Sequence, residues 1–280
     1  MHQTPPRFPA TLDPRERVLL AALLLGVLAA CLGPALPDPM AGTGFADGRG
    51  WRGLPHAMDV LSNLPFAVLG VWGLLRLRRL DGASAGTAAV RRCAGLFFGG
   101  LVLTAFGSAF YHLHPDALRL TADRLGMAVA FAGMVGLAVS ERIGRRVAWP
   151  VACGMLVAGL LALAACHLRG NVLPWAVLQF GGMALVLGLA LLRPVPGALG
   201  LKLGAVICCY GVAKLLELGD DAIYQATGQL VSGHSLKHLA AACAGWPALQ
   251  MLRALRPPAP AAQSTRSRLA GLRGPNGTFE

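Results

Sequence analysis

Apolar residues fall into runs long enough to cross a bilayer, and these runs constrain the fold more than any other feature of the chain. Of the 280 residues, 55% are hydrophobic and only 14% are charged, with a mean hydropathy of +0.57. Backbone hydrogen bonds inside a bilayer must be satisfied internally, which favours helices. We therefore expect an all-α polytopic membrane helix bundle. The sequence predicts spans at residues 18–36, 56–77, 92–113, 121–140, 147–166, 173–192, 201–218 and 233–252.

Basic residues are concentrated in alternate loops of this predicted bundle. The loops after the second, fourth and sixth spans, together with both ends of the chain, carry a clear excess of Arg and Lys, whereas the other loops are close to neutral. Because cytoplasmic loops of membrane proteins are enriched in Lys and Arg, we expect both termini in the cytoplasm. The formal net charge of +12 has the same origin. We expect no nucleic-acid partner, since no basic stripe is interleaved with aromatic residues.

The two ends of the chain are interpreted separately. Residues 1–17 are predicted to form a cytoplasmic segment, and 18–36 a transmembrane helix. An alternative for that helix is a lipoprotein signal, because Leu28 to Cys31 resemble a cleavage box after a basic segment. Residues 256–280 are rich in Pro, Ala, Ser and Arg, which predicts a disordered cytoplasmic tail. Heavy use of Ala, Gly, Leu and Arg indicates a GC-rich bacterial genome, and we therefore expect the bundle in a bacterial inner membrane.

Polar side chains stand near the same end of several predicted spans, where their cost makes them candidates for function. Ser108 and His112 lie at the end of the third span, and Asp123 begins the fourth. His234 and His238 begin the eighth span. Within the Ser–His and His–His pairs the spacing is i, i+4, so on a helix the two side chains share one face. Under the topology above, all five residues lie toward the outer face.

Three histidines at one depth predict a Zn²⁺ site formed by His112, His234 and His238. Neutral imidazole is a suitable zinc ligand, and three ligands with a fourth position for water are typical of catalytic zinc. Asp123 would accept a proton from the water and pass it to a leaving amine, while Ser108 would hold the oxyanion or the water. An open zinc site at a membrane boundary indicates hydrolysis of a lipid. We expect a membrane lipid as substrate and no protein partner.

Alternatives for these polar residues stay open at this point. The histidines also fit helix ends at the membrane–water boundary without a metal, with Asp123 and Arg124 as a boundary charge pair. His114, two residues past His112, is a competing ligand, although it would face away from Ser108.

Two further spacings predict contacts inside the bundle. Lys214 and Glu217 are spaced i, i+3 on the seventh span, which predicts an ion pair. Gly95 and Gly99 are four residues apart on the third span, where small residues would allow a close approach between helices.

The order of these motifs resembles the CREST superfamily of seven-helix membrane proteins, and in particular its alkaline ceramidase branch. The resemblance covers about residues 45–252, which would form the seven-helix core, with the helix at 18–36 as an addition before it. It implies that the three histidines above hold zinc and that Ser108 and Asp123 match the family's serine and aspartate. The implied activity is hydrolysis of a ceramide amide to a fatty acid and a sphingoid base. The matching segments are DVLSNLPF at 59–66, GSAFYHLHPD at 107–116, DRLGM at 123–127 and GHSLKHL at 233–239.

One departure from that family concerns calcium. Eukaryotic alkaline ceramidases carry an acidic calcium-binding segment at the start of the core, where this chain reads FADGRGWRGLPHAMD. Asp47 and Asp59 are the acidic residues of this segment, against Arg49 and Arg52. Since Ca²⁺ takes about six to eight oxygen ligands, the sequence argues against calcium. It leaves the identity of the N-acyl lipid open.

The first hypothesis for function is a zinc-dependent amidase acting on a ceramide-like N-acyl lipid. The alternative is a lipid-sensing, receptor-like membrane protein in which zinc is structural. A metal or proton transporter would need polar groups through the full depth of the membrane, whereas here they lie toward one end.

Overall fold

The fold is known from a computed structural model that describes residues 11–38, 44–80 and 85–255. The predicted tail at 256–280 and the first ten residues of the predicted N-terminal segment lie outside these ranges. Within them, the regular secondary structure is helical, with no β-strand and an isolated bridge between Trp51 and Leu54. The all-α prediction is confirmed for this part of the chain.

The described residues form a series of helices. In chain order they are α1 Pro14–Leu32, α2 Ala57–Leu61, α3 Leu64–Arg78, α4 Ala85–Leu113, α5 Ala117–Arg142, α6 Arg145–Arg169, α7 Leu173–Ala176, α8 Gly182–Leu191, α9 Leu203–Leu218, α10 Asp220–Ala226, α11 Gly233–Cys243 and α12 Gly245–Met251. Two irregular turns complete the list, a π-helical turn between α7 and α8 at Val177–Gly181 and a 3-10 turn after α12 at Leu252–Leu255.

Among the described residues, five segments are long and apolar enough to cross a membrane, by length and composition alone. They are Ala57–Arg78, Thr87–Leu113, Ala117–Arg142, Arg145–Arg169 and Leu173–Leu191. This is the pattern of a multi-pass membrane protein. The five segments overlap the second to sixth predicted spans. The other predicted spans are helical as well, but α1 begins with charged residues, α9 has 16 residues, and the last span is divided into α11 and α12.

The interior of the bundle is centred on α5, whose middle turns are buried almost continuously between α4 and α6. Small residues allow this packing, since a Cβ at Gly126 would collide with the backbone of Thr104. The predicted contacts of Gly95 and Gly99 are wrong. A Cβ at Gly99 would meet nothing within 4 Å, and one at Gly95 only a flexible side chain at 3.5 Å. The neighbouring Gly100 lies against α5 instead.

Buried charged side chains near the C-terminal end of α5 are held by hydrogen bonds and an ion pair. The carboxylate of Glu141 accepts hydrogen bonds from the backbone N–H groups of residues 199–201, at 2.7, 2.9 and 3.0 Å. Glu16 at the start of α1 forms an ion pair with Arg146 at the start of α6. We call the region around Glu141, Arg146 and residues 199–201 the Glu141 end.

The other end of α5 lies beside the end of α4, and α2, α9 and α11 meet there. Ser232 caps α11 by accepting a hydrogen bond of 3.0 Å from the backbone N–H of Ser235. A Cβ at Gly233 would collide with the carbonyl of Leu216, so the first turn of α11 packs closely against α9. This packing brings the histidines of α11 to the last turn of α4. We call this region, which contains all three predicted zinc ligands, the histidine end.

Candidate metal centre

His112, His234 and His238 converge at the histidine end. All three side chains are buried, and one nitrogen atom from each lies within 4.8 Å of the others. His112 comes from the last turn of α4, and the other two share one face of α11. The rings are tilted toward edge-to-face contacts with centroid separations of 4.8–5.2 Å. The helix spacing of the sequence therefore brings together the three predicted ligands.

The donor set fits a metal ion. The Nε2 atoms of His112 and His234 are 3.3 Å apart. Two ligands bound at about 2.0–2.1 Å in tetrahedral geometry are separated by roughly the same distance. Three imidazoles are a set that Zn²⁺ accepts. These residues could therefore hold a metal ion.

Residues at and just after α2 brace α11 beside the histidines. Ser62 Oγ lies 2.8 Å from Nδ1 of His238. One turn earlier on each helix, Asp59 accepts a hydrogen bond of 2.7 Å from the hydroxyl of Ser235. The second carboxylate oxygen of Asp59 is buried and has no hydrogen-bond partner within the described ranges. The two contacts fix α2 against the face of α11 that carries the histidines.

The loop at 44–56 covers one face of the cluster. The ring of Phe45 meets two of the three imidazoles edge-on, each at a centroid distance of 4.6 Å. Asp220 fixes this loop, because its carboxylate accepts a hydrogen bond from the backbone N–H of His234 at 2.7 Å and another from that of Ala46 at 3.1 Å. An aromatic ring thus closes the cluster on this side.

An ion pair between Asp47 and Arg49 holds the same loop. The guanidinium donates two hydrogen bonds to the carboxylate, at 2.8 and 2.7 Å, and a third to the carbonyl of Leu230 at 2.9 Å. The side-chain hydrogen bond from Arg49 is the main reason why the pKa of Asp47 lies below its ordinary value of 3.8, although burial opposes that shift. An acidic group that a calcium site would use is therefore already paired with Arg49.

A cavity of about 160 Å³ lies beside the cluster, and His238 forms part of its wall. Ser108 and Asp123, the predicted catalytic pair, line the same cavity. Away from these residues the wall is mainly apolar. Its apolar members include Phe66, Phe97, Phe131, Met134, Met183 and Val186. The cavity therefore connects the histidine end with an apolar chamber between the helices.

Charged side chains line the cavity near His238. One carboxylate oxygen of Glu217 lies 2.5 Å from the Lys214 ammonium, and the other lies 2.6 Å from that of Lys237. The predicted ion pair between Lys214 and Glu217 is confirmed. Because Lys237 adds a partner from α11, the shared carboxylate also ties α9 to the helix that carries two of the histidines.

Two alternatives raised by the sequence have a clear outcome. The predicted boundary pair between Asp123 and Arg124 is wrong, because Arg124 pairs with Asp38 at 2.5 and 2.9 Å. The segment after α1 supplies Asp38, whereas Asp123 lines the cavity. His114 lies outside the cluster, with its side chain 77% exposed and close to Asp116.

Phe45, Ser62 and Asp220 belong to the centre, and the sequence patterns did not single them out. Phe45 and Ser62 reach the histidines from a loop and a helix end that are distant along the chain, and Asp220 reaches His234 from the start of α10. Asp220 is visible in the sequence only as a charge in an acidic loop. Ser62 lies within the segment DVLSNLPF, and its place in that matching segment was the available signal.

Comparison with known proteins does not identify the centre. A scan against protein-family models finds no match, and a search of curated proteins finds none either. The interpretation of the centre therefore rests on its chemistry and on the motif resemblance.

Proposed function

We propose that this protein is a zinc-dependent integral-membrane amidase that hydrolyses a ceramide-like N-acyl lipid to a fatty acid and a free amine base. The observation that carries the proposal is the position of His238, which belongs both to the buried imidazole cluster and to the wall of the cavity. A metal-binding group next to an apolar chamber suits a substrate with a hydrocarbon chain.

The proposal includes membership of the alkaline ceramidase branch of the CREST superfamily. Residues 45–252 would form the seven-helix core, and 18–36 the added helix. Both termini would lie in the cytoplasm of a bacterium, and the histidine end would face the outer side of the inner membrane. The order of the motifs and the alternation of basic loops support this arrangement.

Each polar residue has a separate task in the proposed reaction. Zn²⁺ held by the three imidazoles would supply a Lewis acid and lower the pKa of a water to about 7. Asp123 takes a proton and returns it to the departing amine. Ser108, which lines the same cavity as Asp123, donates to the negative charge that develops on the amide oxygen. The apolar wall holds the acyl chain and keeps bulk water from the reacting amide.

A second candidate function is lipid sensing with a structural zinc ion. It is favoured by the ring of Phe45, which closes one face of the cluster at 4.6 Å from two imidazoles. Structural zinc sites are closed, whereas catalytic sites keep a position open. The two candidates predict the same metal content and differ in lipid turnover.

Metal content and lipid turnover should be measured on the same detergent-purified samples. The variants are wild type, His238→Ala and His114→Ala, the last as a matched control because it removes an exposed histidine outside the cluster. We expect about one zinc ion per polypeptide in wild type and in the control, and none in His238→Ala. Release of fatty acid from a panel of N-acyl lipids should follow the zinc content.

The outcomes separate the candidates. Folded wild-type protein that contains no zinc and cannot be loaded with it would overturn both of them. A full zinc content without turnover of any N-acyl lipid would favour the sensor. Unchanged turnover in a zinc-free His238→Ala variant would show that the metal is not part of the reaction.

A further inference from the structure

We propose that Ser62 is a positioning residue that fixes the tautomer of His238, so that Nε2 is the nitrogen available to a metal. The inference rests on the metal centre of the proposed function and not on the reaction carried out there.

The argument starts from the single proton of the Ser62 hydroxyl. Its oxygen lies 3.1 Å from the backbone carbonyl oxygen of Asp59 and 2.8 Å from Nδ1 of His238. A carbonyl oxygen only accepts hydrogen bonds. The first contact is therefore favourable only when Ser62 donates its proton to Asp59.

The imidazole must then be the donor in the second contact. With its proton directed at the carbonyl, the Ser62 oxygen presents lone pairs to His238, so Nδ1 must carry hydrogen. In a neutral imidazole only one nitrogen is protonated, which leaves Nε2 with a free lone pair. In the opposite tautomer, Ser62 would donate its proton to Nδ1. A lone pair of the Ser62 oxygen would then face a lone pair of the Asp59 carbonyl oxygen at 3.1 Å.

The position of Ser62 is itself well determined. Its neighbour Asn63 donates to the same carbonyl at 2.8 Å, and the carboxylate of Asp59 is bonded to Ser235 at 2.7 Å. The hydroxyl therefore sits on a turn that is anchored to α11 independently of His238. Partners of this kind set the orientation and basicity of histidine ligands, and their loss lowers metal affinity by about 10–100-fold.

The test compares zinc affinity in three variants of the full chain, measured in detergent by competition with a chelator. Ser62→Ala should weaken zinc binding by about 10–100-fold, and Ser62→Thr, which keeps the hydroxyl, should restore most of it. Ser140→Ala is the matched control, because it removes a buried hydroxyl that also donates to the carbonyl three residues earlier, beside Glu141 and away from the histidines. We expect zinc affinity in this control to stay close to wild type. An equal loss in Ser140→Ala would show that removal of any buried hydroxyl weakens zinc binding, and it would overturn the proposal.

A second measurement needs neither zinc nor substrate. In metal-free protein labelled with ¹⁵N-histidine, the NMR signals of His238, identified by their loss in His238→Ala, report which nitrogen is protonated. We expect protonated Nδ1 in wild type and a shift toward the other tautomer in Ser62→Ala. Protonated Nε2 in wild type would overturn the proposal. If wild-type protein takes up no zinc, the proposed function fails, and the tautomer alone decides whether Ser62 acts as inferred.

Discussion

The two ends of the helix bundle bury polar groups in opposite ways. At the Glu141 end, one carboxylate accepts three backbone hydrogen bonds of 3.0 Å or less. At the histidine end, the described residues include four buried side-chain atoms without a hydrogen-bond partner: Nδ1 of His56, Oδ2 of Asp59, Oδ1 of Asn63 and Nδ1 of His112. Arg142 Nε is an exception at the Glu141 end. Folded proteins leave few such atoms, and local conflicts of this kind concentrate at functional sites.

The difference teaches that burial alone does not mark a site. Glu141 is as buried as His112, with 1% of each residue exposed, yet its oxygens are saturated by the backbone. We infer that the Glu141 end serves the stability of the bundle and that the histidine end gives up some stability for binding. Substitutions at the two ends should therefore separate stability from metal content.

The largest effect on stability is expected for Glu141→Ala. The variant leaves three backbone N–H groups without their acceptor, and each buried unsatisfied donor costs about 1–3 kcal/mol. We expect the free energy of unfolding to fall by roughly 3 kcal/mol or more, with zinc per folded polypeptide unchanged. Denaturant titration in mixed micelles and metal analysis would measure the two quantities. Glu141→Gln, which keeps one acceptor oxygen, should lose less free energy of unfolding. Loss of zinc from folded Glu141→Ala would contradict the contrast between the two ends.

A smaller effect is expected for Glu217→Gln at the histidine end. Lys214 and Lys237 would lose their shared carboxylate, but the three side chains are 18–28% exposed, so water compensates in part. We expect a loss of about 1 kcal/mol in the free energy of unfolding. Zinc content should again stay at the wild-type value, because no ligand is removed. A destabilisation as large as that of Glu141→Ala would show that both ends rely on their carboxylates equally.

The smallest effect concerns the loop at 44–56 and its dependence on pH. The pKa of Asp47 is lowered from 3.8 by Arg49, so the unfolded chain takes up a proton before the folded one does. The stabilisation from this pair is complete above about pH 5 and is lost as the pH falls below about 4 and through the lowered pKa. The difference in thermal unfolding midpoint between wild type and Asp47→Asn should therefore narrow over that range. A difference that stays constant with pH would contradict the role of the ion pair.

The sequence predicted the features that depend on local periodicity. Helices follow from apolar runs, and the spacing i, i+4 was enough to bring His234 and His238 onto one face of α11. The shared depth of His112 followed from counting spans. Ser62 and Phe45 could not be predicted in this way, because their contacts depend on how α2 and a loop fold back onto α11.

The errors have the same origin. Asp123 and Arg124 are adjacent in the chain, yet Arg124 pairs with Asp38, because a helix directs neighbouring side chains about 100° apart and a distant segment supplied the better partner. Gly99 was expected at a helix interface, and Gly100 is there instead. A shift of one residue turns a helix face away from its neighbour, and hydropathy does not resolve that difference.

The two hydrogen bonds that the Asp220 carboxylate accepts have a consequence for the rate of metal exchange. Its carboxylate holds the loop through Ala46 and the first turn of α11 through His234, so the loop cannot swing away without releasing an acceptor that it shares with a ligand helix. An ion in the cluster could then exchange through the cavity, or at the rate at which the loop opens. Slow dissociation would accompany even a modest equilibrium affinity, and bulky chelators would strip the centre more slowly than small ones.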